Sequence, residues 1–211
     1  MDILLSTAIS VVFAYFLGAI PTGYWCGKLL KKIDIREHGS KNMGATNVLR
    51  VLGKGPGIAV LVIDIAKGIL PIVLAAAIFN LVNPLSLVLI GIAAVAGHNW
   101  TIFLGFKGGK GVATTLGVLI GLAIEMPGLQ PVLLLTLALW IIIFLPFGYV
   151  SLASITAAIA LPILMVIFNA PFPIIAMSIL LCIFVVFRHS ANISRLLKGQ
   201  ENRINLFAAR K

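Results

Sequence analysis

A first polar stretch, residues 39–50, combines glycines with hydroxyl and amide side chains and ends on Arg50. Glycine lets the backbone approach an anion closely, and hydroxyl and amide groups donate hydrogen bonds. Arginine holds an oxyanion with two parallel N–H groups. The stretch therefore predicts a phosphate-binding loop, with an ordinary membrane-surface loop as the alternative. Its candidate ligands are Ser40, Asn42, Gly44, Thr46, Asn47 and Arg50.

A second stretch is the glycine loop, residues 108–111, which reads Gly-Gly-Lys-Gly and leads into an apolar helix. The first N–H groups of a helix have no partner within the helix, and the helix dipole favours an anion there. Lys110 adds a positive charge. The loop is not a Walker A motif, because Leu104 replaces its first glycine and Gly111 replaces its Ser or Thr. A flexible turn with a snorkelling lysine is the alternative.

An aspartate, a lysine and a histidine lie within apolar runs. Asp64 and Lys67 are three residues apart, so they share a helix face and are expected to pair. Such charges are costly in a membrane and usually face the protein interior or a water-filled site. Lys67 either belongs to a structural ion pair or helps to hold a phosphate. His98 lacks the aspartate that follows five residues later in another class of membrane acyltransferases, since position 103 is Phe.

A polar stretch at residues 188–201 follows the last apolar run. If it is helical, His189, Asn192 and Arg195 recur every three residues and line one face. That face would place hydrogen-bond donors where the chain leaves the membrane. A basic helix that binds anionic lipid head groups is the alternative.

The composition indicates that membrane helices position these stretches. The chain is 61% hydrophobic and 10% charged, with a mean hydropathy of +1.14. Soluble proteins contain about 25% charged residues. We therefore expect a single integral membrane domain spanning residues 1–211. Two cysteines in apolar surroundings, Cys26 and Cys182, predict neither a disulfide framework nor a metal site.

Seven apolar runs predict an all-α polytopic protein with seven transmembrane helices. The runs are residues 3–26, 57–81, 85–104, 112–124, 131–145, 151–168 and 174–187. Apart from Lys67, all lysines and arginines then fall on one face, which the positive-inside rule makes cytoplasmic. The N-terminus is expected outside and the C-terminus in the cytoplasm. Fusion of the fourth and fifth runs is disfavoured because Pro127 and Pro131 would break the helix.

The four stretches together resemble the bacterial acyl-phosphate:glycerol-3-phosphate acyltransferases, the PlsY family. Residues 39–50 resemble that family's Gly-Ser-x-Asn-x-Gly-Ala-Thr-Asn-x-x-Arg motif. Residues 97–114 are similar to its second motif and residues 188–201 to its third, and the element at 64–68 is also similar. The matches run in order and cover almost the whole chain.

This resemblance implies an enzyme of the bacterial cytoplasmic (inner) membrane with its active site at the cytoplasmic face. The enzyme would transfer a fatty acyl group from acyl phosphate to the 1-hydroxyl of sn-glycerol 3-phosphate. The products would be 1-acylglycerol 3-phosphate (lysophosphatidic acid) and phosphate, in the first acylation step of phospholipid synthesis. Membrane lipid surrounds such an enzyme, and a PlsX-type acyl-phosphate synthase would supply the donor. No metal, cofactor, acyl-CoA or nucleic acid is implied.

The resemblance also implies two phosphate pockets beside a groove open to lipid, with direct attack by the glycerol hydroxyl. His189, Lys110 and Arg50 would be catalytic. The general base would be His189, with an ordinary pKa of about 6.5, or a phosphate oxygen of the substrate. The expected substrate-binding residues are Ser40, Asn42, Gly44, Thr46, Asn47, Lys67, His98, Gly108, Gly109, Gly111, Thr114, Ser151, Asn192, Arg195 and Glu201.

Two other classes of membrane protein remain as alternatives. A small anion transporter or an anionic-lipid-binding protein could also have basic loops, but it would need polar residues across to the far side. Glu125 is the only charged residue in the far-side loops. A CDP-alcohol phosphotransferase needs clustered aspartates for metal, and this chain has only Asp2, Asp34 and Asp64.

Overall fold

The computed structural model describes residues 2–204, which form helices and turns without a β-strand. Residue 1 and residues 205–211, the end of the predicted basic tail, lie outside this range. The chain divides into two compact units, Met1–Pro127 and Gly128–Lys211. The first unit contains α1 (Ile3–Ala19), α2 (Thr22–Lys31), α3 (Ala45–Leu52), α4 (Lys54–Phe79), α5 (Pro84–Asn99) and α6 (Val112–Glu125). The second contains α7 (Gln130–Phe147), α8 (Val150–Ile167), α9 (Phe172–Arg188) and α10 (Ser190–Leu197).

Glycines set the helix packing in the first unit, where α4 packs on α6 and α1 packs on α5. A Cβ atom on Gly117 of α6 would collide with the Ile65 carbonyl of α4, and one on Gly68 with the Thr114 carbonyl of α6. Such small residues let helix backbones approach closely in a membrane, where packing rather than water exclusion drives association. The α4–α6 contact therefore fixes the helix that follows the glycine loop.

Six of the seven predicted apolar runs lie largely within one helix each, whereas the first, residues 3–26, is divided into α1 and α2 at Ile20 and Pro21. Within residues 2–204, fewer than seven helices are long enough to span a membrane alone. Within residues 2–204, five spans meet the length and hydropathy expected: Ile3–Lys31, Lys54–Phe79, Pro84–Leu104, Pro127–Phe147 and Val150–Ile167. A sixth is reached if α9 and α10, bent by 59° at their junction, are taken as one span. Helix α6 is apolar but has only 14 residues. The structure therefore supports a polytopic membrane protein with five or six long spans.

The breaks between helices fall close to the predicted positions. Helices α6 and α7 are separate, joined by Met126 and a 3₁₀ turn at Pro127–Leu129, as predicted. The break predicted over residues 146–149 is confirmed at Gly148 and Tyr149, although α7 itself continues through Pro146. It ends at Gly148, whose left-handed conformation (φ 70°) lets its N–H donate to the Phe144 carbonyl at 2.8 Å.

In the second unit, α8 packs against α7 and α9, and α10 packs against α8 and α9. Residues 201–204 turn back onto the α7–α8 connection. The Ile204 N–H donates to the Gly148 carbonyl at 2.9 Å, and Arg203 Nε donates to the Tyr149 hydroxyl at 2.8 Å. This return brings Glu201 to the start of α8.

Candidate active site

Asn47 organises the predicted phosphate loop from within. Its side chain is 1% exposed, and its Nδ2 lies 3.1, 3.0 and 2.7 Å from the carbonyl oxygens of Ile35, His38 and Asn42. Its Oδ1 accepts the Ser40 N–H at 2.7 Å. Because both ends of the carboxamide are engaged by the backbone, Asn47 shapes the loop. The sequence predicted it as a substrate ligand, and its geometry favours a supporting role.

The rest of this loop leads into helix α3. Asn42 Oδ1 accepts the Gly44 N–H at 2.8 Å, and Gly44 is the N-cap residue of α3. Thr46 and Arg50 lie four residues apart on α3 and therefore share one face. Both side chains are partly exposed, as is Ser40. The loop thus presents a hydroxyl and a guanidinium along one helix face, as a phosphate-binding surface requires.

The glycine loop is anchored to the end of α5. The Gly109 N–H donates to the His98 carbonyl at 3.0 Å, and the Gly108 N–H donates to the Asn99 carbonyl at 3.1 Å. A Cβ atom on Gly109 would collide with His98 Nε2, so any larger residue there requires the His98 ring to move. These two N–H groups therefore hold the loop in place. The donors that face an anion are expected among the first N–H groups of α6, which Gly111 caps in a left-handed conformation (φ 76°).

Buried polar groups surround this start of α6. Thr114 and Asn99 are both 0% exposed, and neither Thr114 Oγ1 nor the two carboxamide atoms of Asn99 has a hydrogen-bond partner within the described residues. Buried polar atoms in folded proteins are normally hydrogen-bonded. Lys110 is partly exposed beside them. Polar atoms, a lysine and a helix N-terminus together suit a phosphate.

Asp64 and Lys67 form the predicted ion pair, with 2.8 Å between Oδ1 and Nζ and both residues 2% exposed. Lys67 Nζ also donates to the Ile20 carbonyl at 2.8 Å, and the Thr22 hydroxyl donates to Asp64 Oδ1 at 2.9 Å. His98 Nδ1 lies 3.8 Å from the same carboxylate oxygen. Protein groups thus engage the ammonium, which favours the structural ion pair over the interpretation of Lys67 as a phosphate ligand.

A second cluster, in the second unit, is built around Glu201. Its carboxylate accepts hydrogen bonds from Ser151 Oγ at 2.9 Å, Asn192 Nδ2 at 2.6 Å and Arg195 Nε at 2.7 Å. Burial alone would raise the pKa of Glu201, but the hydrogen bonds from Asn192, Arg195 and Ser151 outweigh it and hold the pKa below its usual range. Four predicted site residues therefore meet here. A carboxylate repels phosphate, so Glu201 orients the other three.

His189 lies just before α10, which is helical as the predicted Asn192–Arg195 face requires. The imidazole is 3% exposed, and its Nδ1 lies 2.7 Å from the Val185 carbonyl oxygen. A carbonyl oxygen only accepts hydrogen bonds, so Nδ1 carries the hydrogen. In neutral His189 the lone pair is then on Nε2. The tautomer suits a group that accepts a proton through Nε2.

Two residues of the first unit were missed from sequence. Asn99 follows His98 at the end of an apolar run, and a polar side chain in that position was the available signal. Thr22, which donates to Asp64, carries no signal that separates it from other threonines. Within residues 2–204, no group of three or more His, Cys, Asp or Glu side chains is placed to hold a metal ion.

Known proteins match this chain over nearly its whole length. The glycerol-3-phosphate acyltransferase family model matches residues 8–199. Glycerol-3-phosphate acyltransferases from Fusobacterium nucleatum subsp. nucleatum and a Synechococcus species are 47% and 45% identical over 193 and 201 residues. These alignments cover 92% and 95% of this chain and 95% and 96% of the relatives.

Solved structures agree with the sequence relatives. The crystal structure of PlsY (YgiH), an integral membrane glycerol 3-phosphate acyltransferase, in its glycerol 3-phosphate form is 42% identical, with a TM-score of 0.86. The lysophosphatidic acid form gives a TM-score of 0.83. Both matches cover 95% of this chain and 96% of the PlsY chain. The chain therefore belongs to the glycerol-3-phosphate acyltransferase family that includes PlsY, and it is an integral membrane protein.

Proposed function

We propose that the protein transfers a fatty acyl group from acyl phosphate to the 1-hydroxyl of sn-glycerol 3-phosphate. The phosphate-suited start of α6, with Lys110 and the buried Thr114 hydroxyl, is the observation that carries this proposal. Family membership supports it. So do the PlsY structures, whose glycerol 3-phosphate and lysophosphatidic acid forms hold molecules that differ by one acyl group.

The chemistry requires no covalent enzyme intermediate, because acyl phosphate is an activated mixed anhydride. The 1-hydroxyl oxygen attacks the acyl carbonyl carbon, the carbon–oxygen bond to phosphate breaks, and inorganic phosphate leaves. The hydroxyl proton passes to His189 Nε2 or to a phosphate oxygen of a substrate, whose pKa near 6 suits the task. The Nδ1 contact with the Val185 carbonyl supports the first route.

Each unit holds its own candidate groups for the proposed reaction. In the first unit, Lys110 and the start of α6 bind one phosphate, while Arg50 with Thr46 and Ser40 binds phosphate beside α3. Arginine suits this task because its planar fork matches phosphate oxygens. In the second unit, Ser151, Asn192 and Arg195, held by Glu201, position polar groups near the chain exit at His189.

The membrane arrangement is part of the same proposal. A single domain spans the bacterial cytoplasmic membrane seven times, with α6 completing the count, the N-terminus outside and the active site at the cytoplasmic face. The concentration of lysine and arginine in alternate loops supports this orientation. A PlsX-type synthase, in transient contact, supplies the acyl phosphate.

Purified protein in detergent tests the donor. We expect inorganic phosphate release from acyl phosphate that depends on glycerol 3-phosphate, with matching formation of lysophosphatidic acid. Transfer from acyl-CoA but not from acyl phosphate would refute the proposed donor. Lys110→Ala is expected to lose turnover by at least about 100-fold, the scale of one lost transition-state charge contact, without loss of the folded protein. Near-normal activity of that variant would remove Lys110 from the site.

A further inference from the structure

We propose that Asp64 is a positioning residue for the glycine loop, residues 108–111, through His98 and the turn of α4 that contains it. The proposal rests on the proposed function, because it takes the loop to bind a substrate phosphate. Asp64 belongs to the element at residues 64–68 that resembles the family, but it is not among the residues predicted to bind substrate. Asp64 lies between the residues that support the two ends of the loop, and this position suggests the role.

Stability alone gives a weak reason for this carboxylate. Removing two charges from water is costly, and well-packed apolar residues often replace a buried ion pair without loss of stability. Asp64 and Lys67 are each 2% exposed, in a span whose length and hydropathy suit the membrane interior. Ionisable residues in such segments generally serve function. The neighbours of the pair therefore indicate what it does.

His98 connects Asp64 to the beginning of the loop. Its Nδ1 lies 3.8 Å from Asp64 Oδ1, while Nε2 occupies the space that a Cβ on Gly109 would need. The His98 carbonyl also accepts the Gly109 N–H at 3.0 Å. At 3.8 Å the contact between Nδ1 and the carboxylate is electrostatic and longer than a hydrogen bond. A carboxylate on this side nevertheless favours the ring orientation that points an Nδ1–H toward it. The ring is then a fixed surface against which the loop packs.

Gly68 connects the same turn of α4 to the end of the loop. It follows Lys67 directly, and its backbone approaches the Thr114 carbonyl and Gly117 of α6 so closely that a Cβ would collide. Helix α6 begins immediately after the loop. The turn from Asp64 to Gly68 therefore supports both flanks of the loop, α5 through His98 and α6 through Gly68.

Loss of the Asp64 charge should consequently loosen the loop and weaken its hold on one phosphate. Once that substrate is bound, the rate of attack on the acyl carbon should change little. A positioning role thus predicts a rise in KM for one phosphate substrate with a small change in kcat. A purely structural role predicts loss of folded protein with unchanged constants in the protein that remains.

Two variants separate these roles. Asp64→Asn removes the carboxylate charge but leaves Lys67 buried without its counter-charge. Asp64→Asn combined with Lys67→Met removes both charges and the risk of that uncompensated ammonium. Asp34→Asn is the matched control, because it breaks another ion pair of the first unit, 2.7 Å to Arg36, without contact to the glycine loop.

For each variant, KM for both substrates, kcat and the thermal midpoint are measured in detergent. Both Asp64 variants are expected to raise one KM by about tenfold or more while kcat stays within about threefold. The double variant should recover the thermal midpoint without recovering that KM. The control should keep both KM values within about twofold.

Three results would overturn the proposal: both KM values unchanged in the double variant, kcat lost with KM unchanged, or failure of both Asp64 variants to fold. The inhibition constant of inorganic phosphate distinguishes failure of the Asp64 proposal from failure of the proposed function, because it measures phosphate binding without a donor substrate. If the wild-type protein uses acyl-CoA and not acyl phosphate, the donor proposal fails. Weaker phosphate inhibition in the double variant would then still support the role of Asp64, and unchanged inhibition would refute it.

Discussion

Replacing Asn47 with aspartate should destabilise the first unit severely, although the two side chains have the same shape. The carboxamide nitrogen lies 3.1, 3.0 and 2.7 Å from the carbonyl oxygens of Ile35, His38 and Asn42. In Asn47→Asp an oxygen faces these three acceptors. The Ser40 N–H keeps its partner, because the other oxygen is unchanged.

The expected loss follows from the number of N–H groups removed. Asn47 has two such N–H groups, so the variant leaves two backbone carbonyl oxygens without a donor. Each buried polar group left without a partner costs about 1–3 kcal/mol, so the free energy of unfolding should fall by about 2–6 kcal/mol. In a protein of this length, 1 kcal/mol corresponds to about 2–4 °C in thermal midpoint. A decrease of about 4–24 °C is therefore expected.

Thermal unfolding in detergent, followed by circular dichroism, measures this decrease, and the activity that remains is measured on the same samples. Asn42→Asp is the matched stability control. Asn42 uses only its oxygen, to accept the Gly44 N–H at 2.8 Å, and aspartate retains that oxygen. A midpoint for Asn47→Asp within about 2 °C of wild type would show that the carboxamide does not organise this loop.

Three further predictions concern the glycine loop and the second unit. Gly109→Ala should reduce kcat/KM by about tenfold or more, because the new Cβ displaces His98. Gly55→Ala is the control and should have little effect, since no atom lies within 4 Å of the added Cβ. Equal activities of the two variants would contradict the packing argument. Because the pKa of Glu201 is lowered in the folded protein, its contribution to stability is present above its ordinary value of 4.5 and is lost as the pH falls through the lowered pKa. Wild-type thermal midpoints should therefore fall more steeply than those of Glu201→Gln below about pH 4.5, and parallel curves would refute this. His189→Ala should reduce kcat if Nε2 is the general base, whereas an unchanged kcat with a raised KM for glycerol 3-phosphate would assign His189 to binding.

Most of the long helices could be predicted from apolar runs and their ends, because glycine and proline act locally, but the break of the first run at Pro21 was missed. The number of spans could not be predicted in this way. Helix α6 has 14 residues, about 21 Å at the rise of an α-helix, against a hydrocarbon core of about 30 Å. Whether so short a helix crosses the membrane depends on what covers its ends, and hydropathy does not report this. Helix α7 also includes Pro146 in its last turn before it ends at the Gly148 cap.

The candidate residues could be predicted by type, but their directions could not. Amide and glycine N–H groups bind a backbone carbonyl as readily as a phosphate. Asn47 meets carbonyls from an irregular segment, and Gly109 meets the end of α5. Neither set of backbone carbonyl groups lies at a fixed sequence distance from the motif residue that it binds, so these contacts could not be predicted. Sequence reasoning consequently assigned both residues to the ligand, and the structure places both against the protein.

For charged residues, too, the type could be predicted from sequence but the partner of each side chain could not. A carboxylate near a phosphate site repels the ligand unless a cation neutralises it, and Asp64 and Glu201 lie in the predicted motifs. Asp64 is neutralised by Lys67 at 2.8 Å and Glu201 by Arg195 at 2.7 Å. Each of these cations was predicted to bind substrate, and each is paired with a carboxylate that the pairing makes compatible with a nearby phosphate. Lys110 and Arg50, which lie outside these two pairs, are therefore the cations that we propose for the substrate phosphates.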